Sequence, residues 1–274
     1  MTINCKGQLI DLSSPKVMGI LNITPDSFYD GGAYKSEKEI LNHVERILND
    51  GATFIDVGAY SSKPNADDVS EHEELHRILP IVELILKHFP DVLLSIDTFR
   101  SAVAQNCIEA GACMINDISA GQLDDNMLQT IAQLHVPYIM MHMRGTPQNM
   151  QQHTDYDNLV KTMIYYFSER IAAATKLGIV DLIIDPGFGF AKTLEQNYNL
   201  LNTLELLKII ERPLLIGVSR KSMIYKLLET TANQALNGTT VLNTVALQKG
   251  ASILRVHDVK EAMECIKLIN ALNV

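Results

Sequence analysis

Positive charge is scarce in this 274-residue chain. Its 23 lysines and arginines face 32 aspartates and glutamates, a formal net charge of −9 with a pI near 5.3. That balance repels nucleic acid and anionic membrane, so no nucleic acid and no membrane is expected as a partner. An anionic substrate must then be held by a local basic cluster. Cysteine is scarce too: Cys5, Cys107, Cys113 and Cys265 form no C-x-x-C pair, which points to reduced, buried thiols and a cytoplasmic compartment. No apolar run reaches the roughly 18 residues of a membrane span. The start, Met1 to Gln8, is polar and has no apolar signal region. Low-complexity segments are missing, and so is a G-x-G-x-x-G turn after the first apolar run, which argues against an open doubly wound sheet.

What the chain does have is alternation. Short runs dense in Val, Ile, Leu and Met occupy residues 17–22, 53–57, 92–97, 113–116, 137–142, 182–185, 214–218 and 253–256. Continuous apolar runs of this length suit parallel strands buried on both faces. Helical spacing fills the gaps, as in Ile40, Leu41, Val44, Ile47 and Leu48, or Leu75, Ile78, Leu79, Val82, Ile85 and Leu86. Ser36 to Glu39 and Ser70 to Glu73 read as capping boxes, and Gly51 and Gly178 sit where helices end. Residues 156–177 form a third amphipathic pattern, and residues 2–11 read as a β-hairpin. About eight βα units with no linker predict one domain over residues 1–274. The fold class is α/β, a single (β/α)8 TIM barrel with a short N-terminal β-hairpin, for which about 250 residues are typical.

Barrel sites lie at the C-terminal strand ends. There the runs stop abruptly at polar residues: Asn22, Asp97, Asn116, His142, Asp185, then Ser219-Arg220-Lys221, then Arg255 and His257. Taken singly, Asn116, Asp117 and His142 are as well explained by capping or core hydrogen bonds. Together they predict one mouth, with acids and amides on the middle strands and cations on the last two. A short extra helix over residues 221–228, with Lys221, Arg255 and His257, fits a phosphate site. Asp185, followed by Phe188 and Phe190 read as exposed rings, fits a flat heteroaromatic ligand. Two long polar loops, residues 23–34 and 58–69, read as lids.

These motifs resemble those of the dihydropteroate synthase family. The matching stretches are Gly19-Ile20-Leu21-Asn22-Ile23-Thr24-Pro25-Asp26-Ser27-Phe28, Ser95-Ile96-Asp97-Thr98, Ile115-Asn116-Asp117-Ile118 and Met141-His142-Met143-Arg144-Gly145-Thr146-Pro147. They continue through Asp185-Pro186-Gly187-Phe188-Gly189-Phe190-Ala191-Lys192, Ser219-Arg220-Lys221-Ser222 and Arg255-Val256-His257-Asp258. The resemblance implies that p-aminobenzoate displaces diphosphate from 6-hydroxymethyl-7,8-dihydropterin diphosphate through a cationic pterin intermediate. It also implies Mg2+, a homodimer and sulfonamide binding. It assigns Asp185, Asn116 and Lys221 to the pterin, and Asp97 to the pterin cation. Arg255 and His257 go to the diphosphate, Asn22 to the metal, Phe190, Pro64 and Ser222 to the aminobenzoate pocket, and Ser62 to substrate binding. Asp97, Asp185, Lys221 and Arg255 form the implied catalytic set.

The second loop departs from the family's Gly-Glu-Ser-Thr-Arg-Pro-Gly, reading Ala59-Tyr60-Ser61-Ser62-Lys63-Pro64-Asn65. Ser62 loses a methyl group and Lys63 loses the planar fork of arginine. Two alternatives stay open: a methyltetrahydrofolate-dependent methyltransferase, which binds no diphosphate, and a non-catalytic pterin-binding paralogue.

Overall fold

A computed structural model of the chain describes residues 1–23, 33–60 and 69–272, with residues 33–36 described by backbone alone. The hairpin is β1 (Thr2–Cys5) and β2 (Gln8–Asp11), paired antiparallel. Then β3 (Lys16–Asn22), α1 (Ala33–Asn49), β4 (Phe54–Gly58), α2 (Glu71–His88), β5 (Leu93–Asp97), α3 (Ser101–Glu109), β6 (Met114–Asp117) and α4 (Met127–Leu134) alternate. The second half runs through β7 (Tyr138–Met141), α5 (Leu159–Lys176), β8 (Leu182–Asp185), α6 (Leu194–Asn202), β9 (Leu215–Ile216), α7 (Ser222–Leu227), α8 (Leu236–Gln248), β10 (Ile253–Val256) and α9 (Val259–Leu272).

Eight parallel strands follow the order β8-β7-β6-β5-β4-β3-β10-β9. A parallel bridge between Ile184 and Leu214 joins the two ends, so the sheet closes. All eight predicted runs are therefore the barrel strands, to within a few residues. Residues 221–228 hold the short helix α7, flanked by Lys221 and Leu228 as caps. Ser70 caps α2 by accepting from the Glu73 N–H at 3.2 Å, but the Glu73 carboxylate turns to Arg77 instead of closing the box. α1 begins at Ala33, three residues before the expected cap at Ser36, so that capping box does not start the helix.

Alternation along each strand sorts the side chains into two populations. Met18, Phe54, Leu93, Met114, Ile139, Ile183, Leu215 and Ile253 join one cluster with Ile3, Cys5, Ile10 and Leu12 of the hairpin. Their strand neighbours Val17, Ile55, Leu94, Ile115, Met140, Ile184, Ile216 and Leu254 belong to the larger cluster under the helices. The first set fills the lower interior and the hairpin seals it from beneath. Cα–Cβ directions repeat every two residues along a strand. The layer above is then Ile20, Asp56, Ser95, Asn116, Met141, Asp185, Gly217 and Arg255, and it is mostly polar.

Phe54 is fully buried in the sealed lower layer. Phe54→Ala is expected to lower stability by about 3–5 kcal/mol. Urea denaturation checks this, and a loss below about 1 kcal/mol would mean that the layer is not close-packed.

Candidate active site

Arg255 sits inside an apolar run on β10, where a cation is costly unless paired. Its Nε donates to Asp56 Oδ2 at 2.6 Å and its Nη2 to Asp97 Oδ2 at 2.7 Å. It thus reaches from β10 across β3 to both β4 and β5. Asn116 Nδ2 also donates to Asp56 Oδ2, at 3.0 Å, which turns its nitrogen toward the acid. Burial works against the Arg255 charge, yet Asp56 and Asp97 hold its pKa above the ordinary value. Burial pushes Asp97 up to about 7, opposed by Arg255. Asp56 Oδ1 and Ser95 Oγ lie at paired register positions of β4 and β5, buried and without a hydrogen-bond partner among the described residues. Two unsatisfied polar atoms in the floor of a mouth leave capacity for ligand or water.

On the opposite wall, Asp185 Oδ1 accepts from the Gly187 N–H at 2.7 Å. Burial raises its pKa, while Lys221 and that N–H pull it down. Lys221 donates to the Phe188 carbonyl, and its Nζ lies 4.8 Å from the centre of the Phe190 ring. Burial lowers Lys221 to about 8 against the pull of Asp185. Ser222 follows as the first residue of α7. Residue 187 must be glycine: it is left-handed at φ 68°, and a Cβ there would stand 2.3 Å from the His142 carbonyl oxygen. Asn22 and His257, both exposed at the rim, line a cavity of about 290 Å³ with Glu39 and His43.

The predicted mouth therefore forms, with corrections. His142 lies on the outer side of its strand, buried against Tyr166 and bonded to Lys192. Asp117, also outward, is spent on Ser119, Gly121 and the Tyr138 hydroxyl. Arg220 is held by both oxygens of Asp258, so it leaves the predicted cation cluster. Phe188 is fully buried, not exposed, which leaves Phe190 as the ring at the mouth. Ser62, Lys63 and Pro64, and most of both predicted lids, lie outside the described residues. Asp56 and Lys192 were missed. Asp56 is a lone acid inside an apolar strand, and applying the two-residue period from Phe54 would have found it.

Comparison with known proteins agrees with this geometry. The model of the pterin binding enzyme family matches residues 18–257. The Escherichia coli K12 dihydropteroate synthase is 42% identical over 273 residues, covering 99% of this chain and 96% of the relative. The Yersinia pestis dihydropteroate synthase, solved with a sulfonamide drug, superposes with a TM-score of 0.93 at 44% identity, covering 100% of this chain and 99% of that one. The Xanthomonas albilineans dihydropteroate synthase, solved with 4-aminobenzoic acid, gives 0.91 at 36% identity, covering 100% and 98%.

Asp56→Ala strips a buried partner from Arg255 and from Asn116. The expected cost is about 3–5 kcal/mol of stability, measured by chemical denaturation. A near-neutral result would show that the pair is dispensable to the fold.

Proposed function

Because this chain belongs to the dihydropteroate synthase family, we propose that it condenses 6-hydroxymethyl-7,8-dihydropterin diphosphate with p-aminobenzoate and releases diphosphate, a transferase step in folate biosynthesis. The observation that carries this is one barrel mouth in which acids and an amide gather in the deeper layer while His257 and Asn22 stand at the rim.

The Asp185 carboxylate pairs with the amidine-like N–H edge of the pterin, a charge-assisted contact. Asn116, turned by Asp56, presents its remaining amide groups to the ring. Lys221 serves the ring carbonyl and N5 side. As the C–O bond to diphosphate breaks, positive charge spreads over the pterin, and Asp97 stabilises it from a fixed position beside Arg255. The neutral arylamine nitrogen then forms the C–N bond and releases a proton, so no strong general base is required. Phe190 borders the aminobenzoate pocket with Ser222 and Pro64, and Ser62 joins the substrate-binding residues.

Arg255 and His257 take the diphosphate. Mg2+ would be held by Asn22 together with diphosphate oxygens and waters. Among the described residues no group of three or more His, Cys, Asp or Glu could hold a metal. One amide ligand suits an ion that keeps its waters and binds phosphate. When bound, Mg2+ neutralises charge on the leaving group. The four cysteines are free and buried, in keeping with a cytoplasmic compartment. A homodimer and sulfonamide inhibition complete the proposal.

The direct test is a steady-state assay with both substrates. Dihydropteroate and diphosphate are expected to form in equal amounts, and removal of Mg2+ by chelation is expected to slow the reaction at least about tenfold. A folded protein that makes no dihydropteroate would reject the function. A second test separates the subsites. Arg255 is a poor probe, since its removal also strands Asp56 and Asp97. His257→Ala should instead weaken inorganic diphosphate by about tenfold and leave a pterin analogue unaffected, while Asp185→Ala should do the reverse. Titration calorimetry reads both, and equal losses for both ligands would refute the two-subsite assignment.

A further inference from the structure

Lys192 is 3% exposed and belongs to none of the roles above. Its Nζ donates to the Gly187 carbonyl at 2.9 Å and to the Phe190 carbonyl at 2.9 Å, and it lies 3.2 Å from His142 Nδ1. A lysine ammonium has three hydrogens, and here two carbonyl oxygens and the His142 ring nitrogen surround it. The segment it gathers is unusual. Gly187, Gly189 and Ala191 are all left-handed, at φ 68°, 82° and 47°. Ala191 has no glycine's freedom there, so the surroundings must hold that conformation. The same segment supplies the groups that meet Lys221: the Phe188 carbonyl that accepts from it and the Phe190 ring beneath it. It also supplies the Gly187 N–H to Asp185. His142 is fixed in turn by edge-on packing against Tyr166, whose hydroxyl bonds the Met141 carbonyl.

We propose that Lys192 is a positioning residue for the pterin subsite, its buried head group tying residues 187–190 into the shape that presents Asp185 and Lys221 to the ring. This rests on the assignment of Asp185 and Lys221 to the pterin. Lys192 touches no substrate and acts only through this segment and through its charge. The groups that bear on Asp185 are Lys221, the Gly187 N–H, Arg255 and Lys192, and all four favour its carboxylate form. Lys192 itself is lowered by burial to about 7, against the pull of Asp185, with Lys221 and Arg144 adding to the lowering. Below that pH it is cationic. Removing it raises the Asp185 pKa, so pterin binding fails at a higher pH as the solution is acidified.

The experiment compares wild type, Lys192→Met and Lys192→Gln by calorimetry with two probes, 6-hydroxymethylpterin and inorganic diphosphate with Mg2+. For Lys192→Met, pterin affinity is expected to fall by about ten- to hundredfold, because a buried and a part-buried carbonyl lose their donor. Diphosphate affinity, assigned to Arg255, His257 and, through Mg2+, Asn22, should stay within about twofold. Lys192→Gln keeps amide hydrogens without charge. It should lose less affinity yet show the same upward shift in the acid limb of pterin binding. Retention of full pterin affinity by both variants would overturn the proposal. So would parallel loss of both probes, or an acid limb unmoved in both variants. A wild-type protein that binds no pterin would instead defeat the functional assignment on which the proposal stands.

Discussion

One guanidinium organises the mouth. Arg255 is bound to carboxylates on two strands that do not neighbour its own. A charge in this position would be intolerable alone, and so would either acid. Each is stabilised by the others, so loss of one leaves a charge without its partner. Its consequence is orientation. Asp56 takes one amide hydrogen of Asn116, so the amide cannot rotate without breaking the cluster. The polar floor is assembled during folding and asks little reorganisation of a ligand, which is the arrangement that electrostatic stabilisation of a forming cation needs.

The barrel supplies this through stacking. Its lowest interior layer is apolar and capped by the hairpin. The middle layer carries Asp56, Asn116, Asp185 and Arg255, and the rim two residues further along carries Asn22, Asp97, Ser219 and His257. Exposure rises in the same direction, from buried Asn116 and Asp185 to exposed Asn22 and His257. Ring-binding groups therefore sit in the less hydrated part of the mouth, where charge contacts are strongest. Of the groups assigned to the leaving diphosphate, His257 and Asn22 sit at the exposed rim where that anion can be rehydrated, and Arg255 lies one layer below them.

Much of this was legible in the sequence because parallel strands buried on both faces leave an uninterrupted apolar signature. The eight runs follow from it directly, and the short helix α7 from the phosphate site expected after the last two strands of such a barrel. Strand-end polarity located the mouth for the same reason, since a charged residue closing an apolar run is conspicuous. Facing was harder. His142, Asp117 and Asp185 look alike in one dimension, yet only Asp185 points inward, because a one-residue offset reverses the side of the strand. Asp56 stayed hidden for lack of that bookkeeping. Arg220 and Phe188 were misassigned because their partners, Asp258 and the core under the helices, are distant in sequence or invisible to composition. Helix starts were read less well than strands: α1 gains a turn ahead of Ser36 that no cap signalled.

Among the described residues, the hairpin plug leaves the barrel a vessel open at one end. Everything that enters must pass the rim and everything that leaves must return by it, so depth becomes sequence in time. Under the assigned roles the bicyclic end of the first substrate goes in ahead of its diphosphate tail. The tail then occupies the way out, departs before the joined product, and leaves the deepest-seated ring as the last group to be surrendered.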